Sequence, residues 1–245
     1  MSSWVLQLFL SLALFDHGGA CQPVPVQPLQ ASFAEGTTAI LQCRLEHGKI
    51  QDYHVFWFRQ KPGDRPAQVL KHHDDGHIDR VGDFGTRFVP IRDAGANAYV
   101  LQIQGVHTED SATYWCMAET NHFNTTASGA GTQLIITGGK SAKEPARVTL
   151  LSDASAQIAD SPDLHALCLA EGFYPGFVEI KWRMAGKAIT EGVTPGQVIV
   201  NDDGSYSTTS VLTVPRNRLY HNALLKCLVH HYSSGSKTER SLELC

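Results

Sequence analysis

Apolar and polar residues alternate along short stretches of this chain, and the alternation predicts β-strands. Leu41 and Cys43, like Val55 and Trp57, stand two positions apart, which points both side chains of each pair to one face of a strand. Further strand-like stretches lie at 98–103, 113–118 and 133–137, with turn signals between them. No long stretch has the period of an amphipathic helix. The pattern therefore predicts an all-β protein.

A triplet of cysteine, tryptophan and cysteine occurs twice along the chain. The first spacing is 14 residues in both copies, and the second is 59 or 45 residues. The two copies are Cys43, Trp57 and Cys116, then Cys168, Trp182 and Cys227. This repeat resembles the immunoglobulin superfamily. The resemblance implies two β-sandwiches, a V-set domain followed by a C1-set domain, each with a disulfide across its sheets and a buried tryptophan.

The segment before Cys116 matches the D-x-A-x-Y-x-C ending of V-set domains. In this family Tyr114 would form the tyrosine corner, and Arg87 would pair with Asp110. The distance from first to second cysteine is 73 residues in the first copy and 59 in the second, which leaves room for the extra strands of a variable-type domain. We expect these residues to stabilise the core and to bind no ligand.

The second half resembles the C1-set of immunoglobulin and T-cell receptor constant regions. Its "FYPG" motif at 173–176 and "CLVHHY" at 227–232 carry the likeness, whereas Leu225 stands where many relatives have tyrosine. "GAGTQLIIT" at 129–137 resembles a J segment, although Ser128 replaces the usual phenylalanine before Gly-x-Gly. We therefore expect a V-set domain at 22–137, an elbow linker at 138–145 and a C1-set domain at 146–245.

The two ends of the chain bear on its location. An apolar run from Trp4 to Phe15, followed by small residues, predicts a signal peptide over 1–21, with Cys21 removed or left at the cut. No later segment is apolar enough to span a bilayer, so we expect secretion, or a place at the cell surface through a membrane-bound partner. Four of the six cysteines belong to the triplets. Cys245 remains, and an inter-chain disulfide is favoured over a free thiol.

This V-J-C1 order resembles an immunoglobulin light chain. The stretches 22–45 and 52–66 are similar to VpreB, the V-like part of the surrogate light chain, and sigma-type light chains come a close second. VpreB receives its J strand and constant domain from another chain, whereas this chain contains all three. The resemblance implies a heavy-chain-like V–C1 partner. It places the pairing contacts at Phe58, Gln60, Pro66 and Trp115, with Gln60 bonding to a glutamine of that partner.

Three segments at one end of the V domain would form its recognition loops, at 47–54, 71–81 and 118–128. They would contact an antigen or a surface ligand, or they would contact the partner chain. Asn124 begins an N-glycosylation sequon in the third loop.

The sequence gives little support for a metal site, a cofactor or an enzymatic activity. His72, His73 and His77 with two aspartates have the residue types of a zinc site, but neighbouring strand residues point apart and Asp-Asp-Gly predicts a hairpin turn. The chain lacks a nucleophile-elbow or phosphate-loop motif. Its net charge is −4 with interspersed signs, so nucleic acid is not an expected partner.

Two functions remain. The first is a light-chain-like or surrogate-like subunit that pairs with a heavy-chain-like chain and contributes to antigen recognition or receptor assembly. The second is an invariant, soluble V–C1 binding module or regulator that forms no covalent pair.

Overall fold

The computed structural model describes residues 23–120, 126–145, 147–153, 162–219 and 223–244. Within these ranges the chain forms β-strands and four short 3-10 helices, and no α-helix. The N-terminal strands are β1 (Pro25–Val26), β2 (Gln30–Ala34), β3 (Ala39–Leu45), β4 (Tyr53–Gln60), β5 (Ala67–His72), β6 (Ile78–Arg80), β7 (Phe88–Asp93), β8 (Ala98–Ile103), β9 (Ala112–Thr120), β10 (Thr126–Ser128) and β11 (Thr132–Thr137). The C-terminal strands are β12 (Arg147–Ser152), β13 (Asp163–Phe173), β14 (Val178–Met184), β15 (Lys187–Ile189), β16 (Val193–Pro195), β17 (Ile199–Val200), β18 (Tyr206–Pro215), β19 (Leu224–His231) and β20 (Ser236–Glu243). The 3-10 helices are Ile50–Asp52, Gly82–Phe84, Thr108–Asp110 and Arg216–Arg218. The all-β prediction is confirmed.

The N-terminal domain is a sandwich of two sheets. One sheet has the order β1-β3-β8-β7, and the other has the order β2-β11-β9-β4-β5-β6, with β10 paired to β9. The strand pairs are antiparallel except for β2 and β11, which run parallel. Leu41 and Cys43 on β3 are buried while the residues that precede them, Ile40 and Gln42, are exposed, as the period of two predicts.

The core of this domain lies between the two sheets. A disulfide joins Cys43 on β3 to Cys116 on β9, and Trp57 on β4 is only 1% exposed beside it. Since β3 and β9 belong to different sheets, the disulfide connects the two layers. It closes a loop of 73 residues, so its removal is expected to cost about 4 kcal/mol of unfolding free energy.

The C-terminal domain repeats this design. One sheet has the order β12-β13-β18-β16, with β17 paired to β18, and the other has the order β15-β14-β19-β20. A disulfide joins Cys168 on β13 to Cys227 on β19. Trp182 is buried, and its indole N–H donates to Ser210 Oγ at 2.9 Å. Leu225 is fully buried in the same core, so an apolar side chain fills the position where relatives carry tyrosine.

The segment 138–145 connects the domains and is itself hydrogen-bonded to the C-terminal one. Gly138 N–H donates to the Ser233 carbonyl at 3.2 Å. Lys143 and Tyr174 exchange two backbone hydrogen bonds of 2.8 Å each. Backbone bonds at both ends thus restrain the segment that the sequence predicts as a flexible elbow.

Candidate functional site

The outward face of the larger N-terminal sheet carries four large apolar side chains. On β4, Phe56 and Phe58 alternate with the buried Val55 and Trp57, so they point away from the core. The strand register sets Phe58 opposite Trp115 on β9. In the next pair of the same face, Phe56 lies opposite Met117.

These apolar side chains cover one another. The Phe56 and Phe58 rings stack with their centroids 6.2 Å apart. Both rings, like Trp115 and Met117, are only partly buried. Phe58 and Trp115 were predicted for this face, whereas Phe56 and Met117 were missed. The alternation that points Phe58 outward could have identified Phe56 as well.

Gln60 and Pro66 flank the turn between β4 and β5. Gln60 ends β4, and its Nε2 donates to the Asp64 carbonyl at 2.7 Å. One of its donors is therefore already used within the chain. Pro66 is exposed and immediately precedes β5. The predicted bond between Gln60 and a glutamine of a partner remains a proposal.

A charged pair forms the polar rim of this face. Lys71 Nζ lies 3.2 Å from Glu119 Oε2 and 4.7 Å from the centroid of the Phe56 ring. The ammonium therefore has an ion pair and a cation–π contact at once. An apolar centre with a charged margin is the usual anatomy of a protein interface.

The Gly129-Ala130-Gly131 turn lets the chain pass close to this face. Gly131 has a φ of +88°, and a Cβ there would lie 2.5 Å from the indole Nε1 of Trp115. A Cβ on Gly129 would overlap the side chain of Gln27. Ser128 is exposed, and its hydroxyl donates to the Gly129 carbonyl. The lack of a side chain at Gly131 thus leaves room for the Trp115 indole.

Gln27 is a buried polar residue that the sequence did not single out. Its Nε2 donates to the Tyr114 carbonyl at 3.0 Å, and its Oε1 accepts from Cys116 N–H at 3.1 Å. The side chain therefore bonds to the backbone of β9 on both sides of Trp115. A glutamine in a sequence gives no signal of such long-range bonding.

Arg87 and Asp110 form a two-bonded ion pair beside the tyrosine corner. The two guanidinium nitrogens lie 3.1 and 3.0 Å from the two carboxylate oxygens, and this interaction raises the pKa of Arg87. Tyr114 donates its phenol O–H to the Asp110 carbonyl at 2.9 Å, which is the bond expected of the corner. Burial raises the pKa of Tyr114, so its hydroxyl remains a donor.

Arg92 anchors the first two segments at the predicted recognition end. Its guanidinium donates to the carbonyls of Ile50, Tyr53, His72 and His73. The first two belong to the 47–54 segment and the others to the 71–81 segment. Charged donors on four carbonyls hold these two segments together. No local sequence pattern predicts this role, because it depends on contacts between residues 19 to 42 positions apart along the chain.

The segment 71–81 is a hairpin rather than an open loop. Strands β5 and β6 flank the turn of Asp74, Asp75 and Gly76, which His73 N–H closes by donating to the His77 carbonyl at 2.8 Å. The third segment is likewise bounded by paired strands, β9 and β10. In the described ranges, no group of three or more His, Cys, Asp or Glu side chains has the arrangement of a metal site.

His72 and His73 point in different directions, as expected for neighbouring strand residues. His72 is buried, and burial together with Arg92 lowers its pKa to about 4. An imidazole that stays neutral when folded but can take a proton when unfolded makes stability depend on pH.

The unfolding free energy of the N-terminal domain should therefore decrease on acidification. Below the ordinary histidine pKa of about 6.5, the unfolded chain binds a proton that folded His72 resists until about pH 4. Between pH 7 and pH 5 we expect a loss of about 2 kcal/mol from this residue. Chemical denaturation at several pH values would measure it.

A His72→Gln variant should lose that part of the pH dependence, whereas His47→Gln, at an exposed site, should keep it. Equal slopes of stability against pH in the wild type and His72→Gln would contradict the assignment.

The outward face of the larger C-terminal sheet also carries apolar side chains in register. Leu151 lies opposite Leu167, and Leu167 lies opposite Val211, so the three form one row across β12, β13 and β18. Leu151 is 55% exposed. Such a row on an exposed sheet face is a candidate contact surface.

Several predicted features lie outside the described residues. They are the signal peptide with Cys21, the sequon at Asn124 and the terminal Cys245. Among the residues that the structure describes, no helix has the length and hydropathy needed to cross a membrane.

Comparisons with known proteins agree with the two-domain architecture. The immunoglobulin V-set domain model matches residues 26–137, and the immunoglobulin C1-set domain model matches residues 148–234. The chain is 34% identical to the immunoglobulin omega chain of Mus musculus over 119 residues, 46% of this chain and 80% of the omega chain. It is also 34% identical to the immunoglobulin iota chain of Homo sapiens over 108 residues, 43% of this chain and 74% of the iota chain.

A third relative spans both domains. A viral T-cell receptor beta chain-like protein of feline leukemia virus is 24% identical over 236 residues, 92% of this chain and 72% of the viral protein. The chain thus belongs to the immunoglobulin superfamily, as an antigen-receptor-like chain in which a V-set domain precedes a C1-set domain.

Proposed function

We propose that this chain is a light-chain-like subunit that pairs side by side with a heavy-chain-like V–C1 chain. In the pair it contributes to antigen recognition or to receptor assembly. The observation that carries the proposal is the outward face of Phe56, Phe58, Trp115 and Met117 on the larger V-domain sheet. Large aromatic side chains are enriched at protein interfaces and dominate their energetics.

The energetics of this face favour a partner. Moving a large apolar side chain from full exposure to full burial contributes about 1.5–3 kcal/mol of favourable free energy. Because these four side chains are only partly buried, part of that free energy is still available for binding a partner. Several outward aromatics on one face are unlike the scattered apolar residues of an ordinary surface. The rim pair of Lys71 and Glu119 would orient the partner, since charges at a margin affect specificity more than affinity.

The C1 domain supplies a second surface for the same partner. The row of Leu151, Leu167 and Val211 would meet the partner's C1 domain, so that each domain of one chain faces its counterpart. Two contacts on one chain raise the overall affinity above that of either alone. We place Cys245 as the covalent link that follows this docking.

The subtype rests on sequence likeness. Two of the relatives are immunoglobulin chains, the omega and iota chains, and this supports an immunoglobulin-like role. We propose a sigma-like light chain with a VpreB-like V domain. We also propose that residues 1–21 are a signal peptide, so that the subunit is secreted or held at the cell surface by its partner.

Co-expression with the V–C1 fragment of an immunoglobulin heavy chain tests the proposal. On a non-reducing gel we expect a covalent heterodimer, because Cys245 stands outside the two intra-domain disulfides and can form an inter-chain bond in an oxidising compartment. Cys245→Ser should abolish the covalent band, while the two chains still co-purify without the disulfide.

Absence of both the covalent and the non-covalent complex across a panel of heavy-chain fragments would overturn the proposal. The chain would then be better described as an independent, soluble V–C1 binding module or regulator.

A further inference from the structure

Three histidines meet at the hairpin of β5 and β6, where His54 lies on β4 and His73 and His77 lie in the connection between β5 and β6. The ring centroids of His54 and His73 lie 4.9 Å apart, and those of His73 and His77 lie 5.6 Å apart. Asp79 joins the last two, because its Oδ2 lies 2.7 Å from His73 Nε2 and its Oδ1 lies 3.0 Å from His77 Nε2. The pairing function gives this cluster no role.

Two kinds of hydrogen bond in this cluster respond to a proton in opposite ways. His54 Nδ1 accepts the backbone N–H of Asp74 at 3.1 Å, and an imidazolium has no nitrogen left to accept such a bond. The contacts of His73 and His77 with Asp79 join an imidazole to a carboxylate, and they become charge-assisted when the ring is protonated. A proton therefore breaks the first bond and strengthens the others.

The surrounding charges come from every strand packed against the cluster. They are the carboxylates of Asp74, Asp75, Asp79 and Glu119 and the cations of Lys71 and Arg92. Carboxylates outnumber cations while the three imidazoles are neutral, and cations outnumber carboxylates once all three are protonated. The hydrogen bond from His73 lowers the pKa of Asp79, so this carboxylate remains an acceptor where histidines titrate.

Arg92 confines the change to the turn itself. Its guanidinium donates to the carbonyls of His72 and His73 at 3.0 and 2.6 Å, and neither bond involves His54. The end of β5 is therefore held whether or not His54 is protonated. Beyond that anchor, the His54 ring on β4 accepts a hydrogen bond from the Asp74 N–H.

We propose that the turn of Asp74, Asp75 and Gly76 is a proton-sensitive element of the recognition end. While its ring is neutral, His54 holds the turn through the Asp74 N–H. When the ring is protonated this bond is lost, and the Asp74 carboxylate, with Oδ1 already 3.5 Å from His54 Nδ1, accepts from the ring instead. A ligand that contacts this turn therefore meets a different backbone conformation, and a local net charge of opposite sign, in the two protonation states of the cluster. The proposal does not depend on the pairing partner.

Nuclear magnetic resonance of the nitrogen-15-labelled chain tests the switch. Between about pH 7.5 and 5.5 the chemical shift of the Asp74 amide should change. Its protection against hydrogen exchange, corrected for the intrinsic effect of pH, should fall about two- to tenfold, which corresponds to the net free energy of one hydrogen bond. In His54→Asn the side-chain Oδ1 takes the place of Nδ1 and accepts without titrating. The Asp74 amide should then keep its position and protection over the same range.

The matched control is His47→Asn, at an exposed site of the first segment, which should retain the wild-type transition. The ring nitrogen signals of His54 in the wild type give an answer without any substitution, since Nδ1 must be the unprotonated nitrogen at the higher pH. A protonated Nδ1 at that pH would overturn the proposal. So would an Asp74 amide that does not respond to pH in the wild type, or one that responds equally in His54→Asn.

Discussion

A Phe58→Asp substitution should weaken association with a heavy-chain V–C1 fragment by roughly 100-fold or more. Phe58 lies at the centre of the outward apolar face, opposite Trp115 and stacked on Phe56. A carboxylate at that position would lose the aromatic contact and would have to be desolvated on binding without a cation. Surface plasmon resonance with the Cys245→Ser background would measure the non-covalent affinity alone.

Ile40→Asp provides the matched control for this substitution. Ile40 is an exposed apolar residue, 51% accessible, on the outward face of the other V-domain sheet. The same change of charge there should leave the affinity within about twofold of the wild type, because a surface substitution away from an interface has little effect. A larger loss of affinity from Ile40→Asp than from Phe58→Asp would contradict this prediction, because it would place the interface on the sheet that contains β3.

Replacing Arg87 with Met should cost the V domain about 3 kcal/mol of unfolding free energy. The Asp110 side chain is 2% exposed, so removal of its partner leaves a buried carboxylate without its cation. Asp110→Asn should cost only about 1 kcal/mol, since Arg87 is 38% exposed and can turn to water. Urea denaturation of the two variants would measure the difference.

The double variant Arg87→Met with Asp110→Asn separates this mechanism from a loss of packing. We expect it to be more stable than Arg87→Met alone, because no unpaired charge remains. If the double variant were the least stable of the three, the ion pair would not explain the cost.

The sequence predicted the sandwich and part of the candidate site through one simple rule. Period-two alternation around Val55 and Trp57 identifies the buried and outward positions of β4, and the spacing of cysteine and tryptophan indicates the repeat. Phe58 and Trp115 follow from that rule together with the family likeness. Met117 did not, since the strand register that sets it opposite Phe56 cannot be derived from local pattern.

Apart from Phe56, which the alternation on β4 points outward, the features that sequence reasoning missed depend on long-range contacts. Gln27 bonds to residues 87 and 89 positions away, and Arg92 reaches carbonyls of two separate segments. The His54 contact with the turn of 74–76 requires both the β4–β5 pairing and the three-residue turn. Residue types alone suggested a metal site there, whereas the side-chain directions separate His72 from His73 and join His73 to Asp79.

Hydrogen–deuterium exchange of the chain, alone and bound to a heavy-chain V–C1 fragment, tests lateral pairing most directly. We expect slower exchange on binding in β4 and β9 of the V domain and in β12, β13 and β18 of the C1 domain, with exchange in β3 and β7 unchanged. Protection limited to the loop end of the V domain, or centred on β3 and β7, would contradict it.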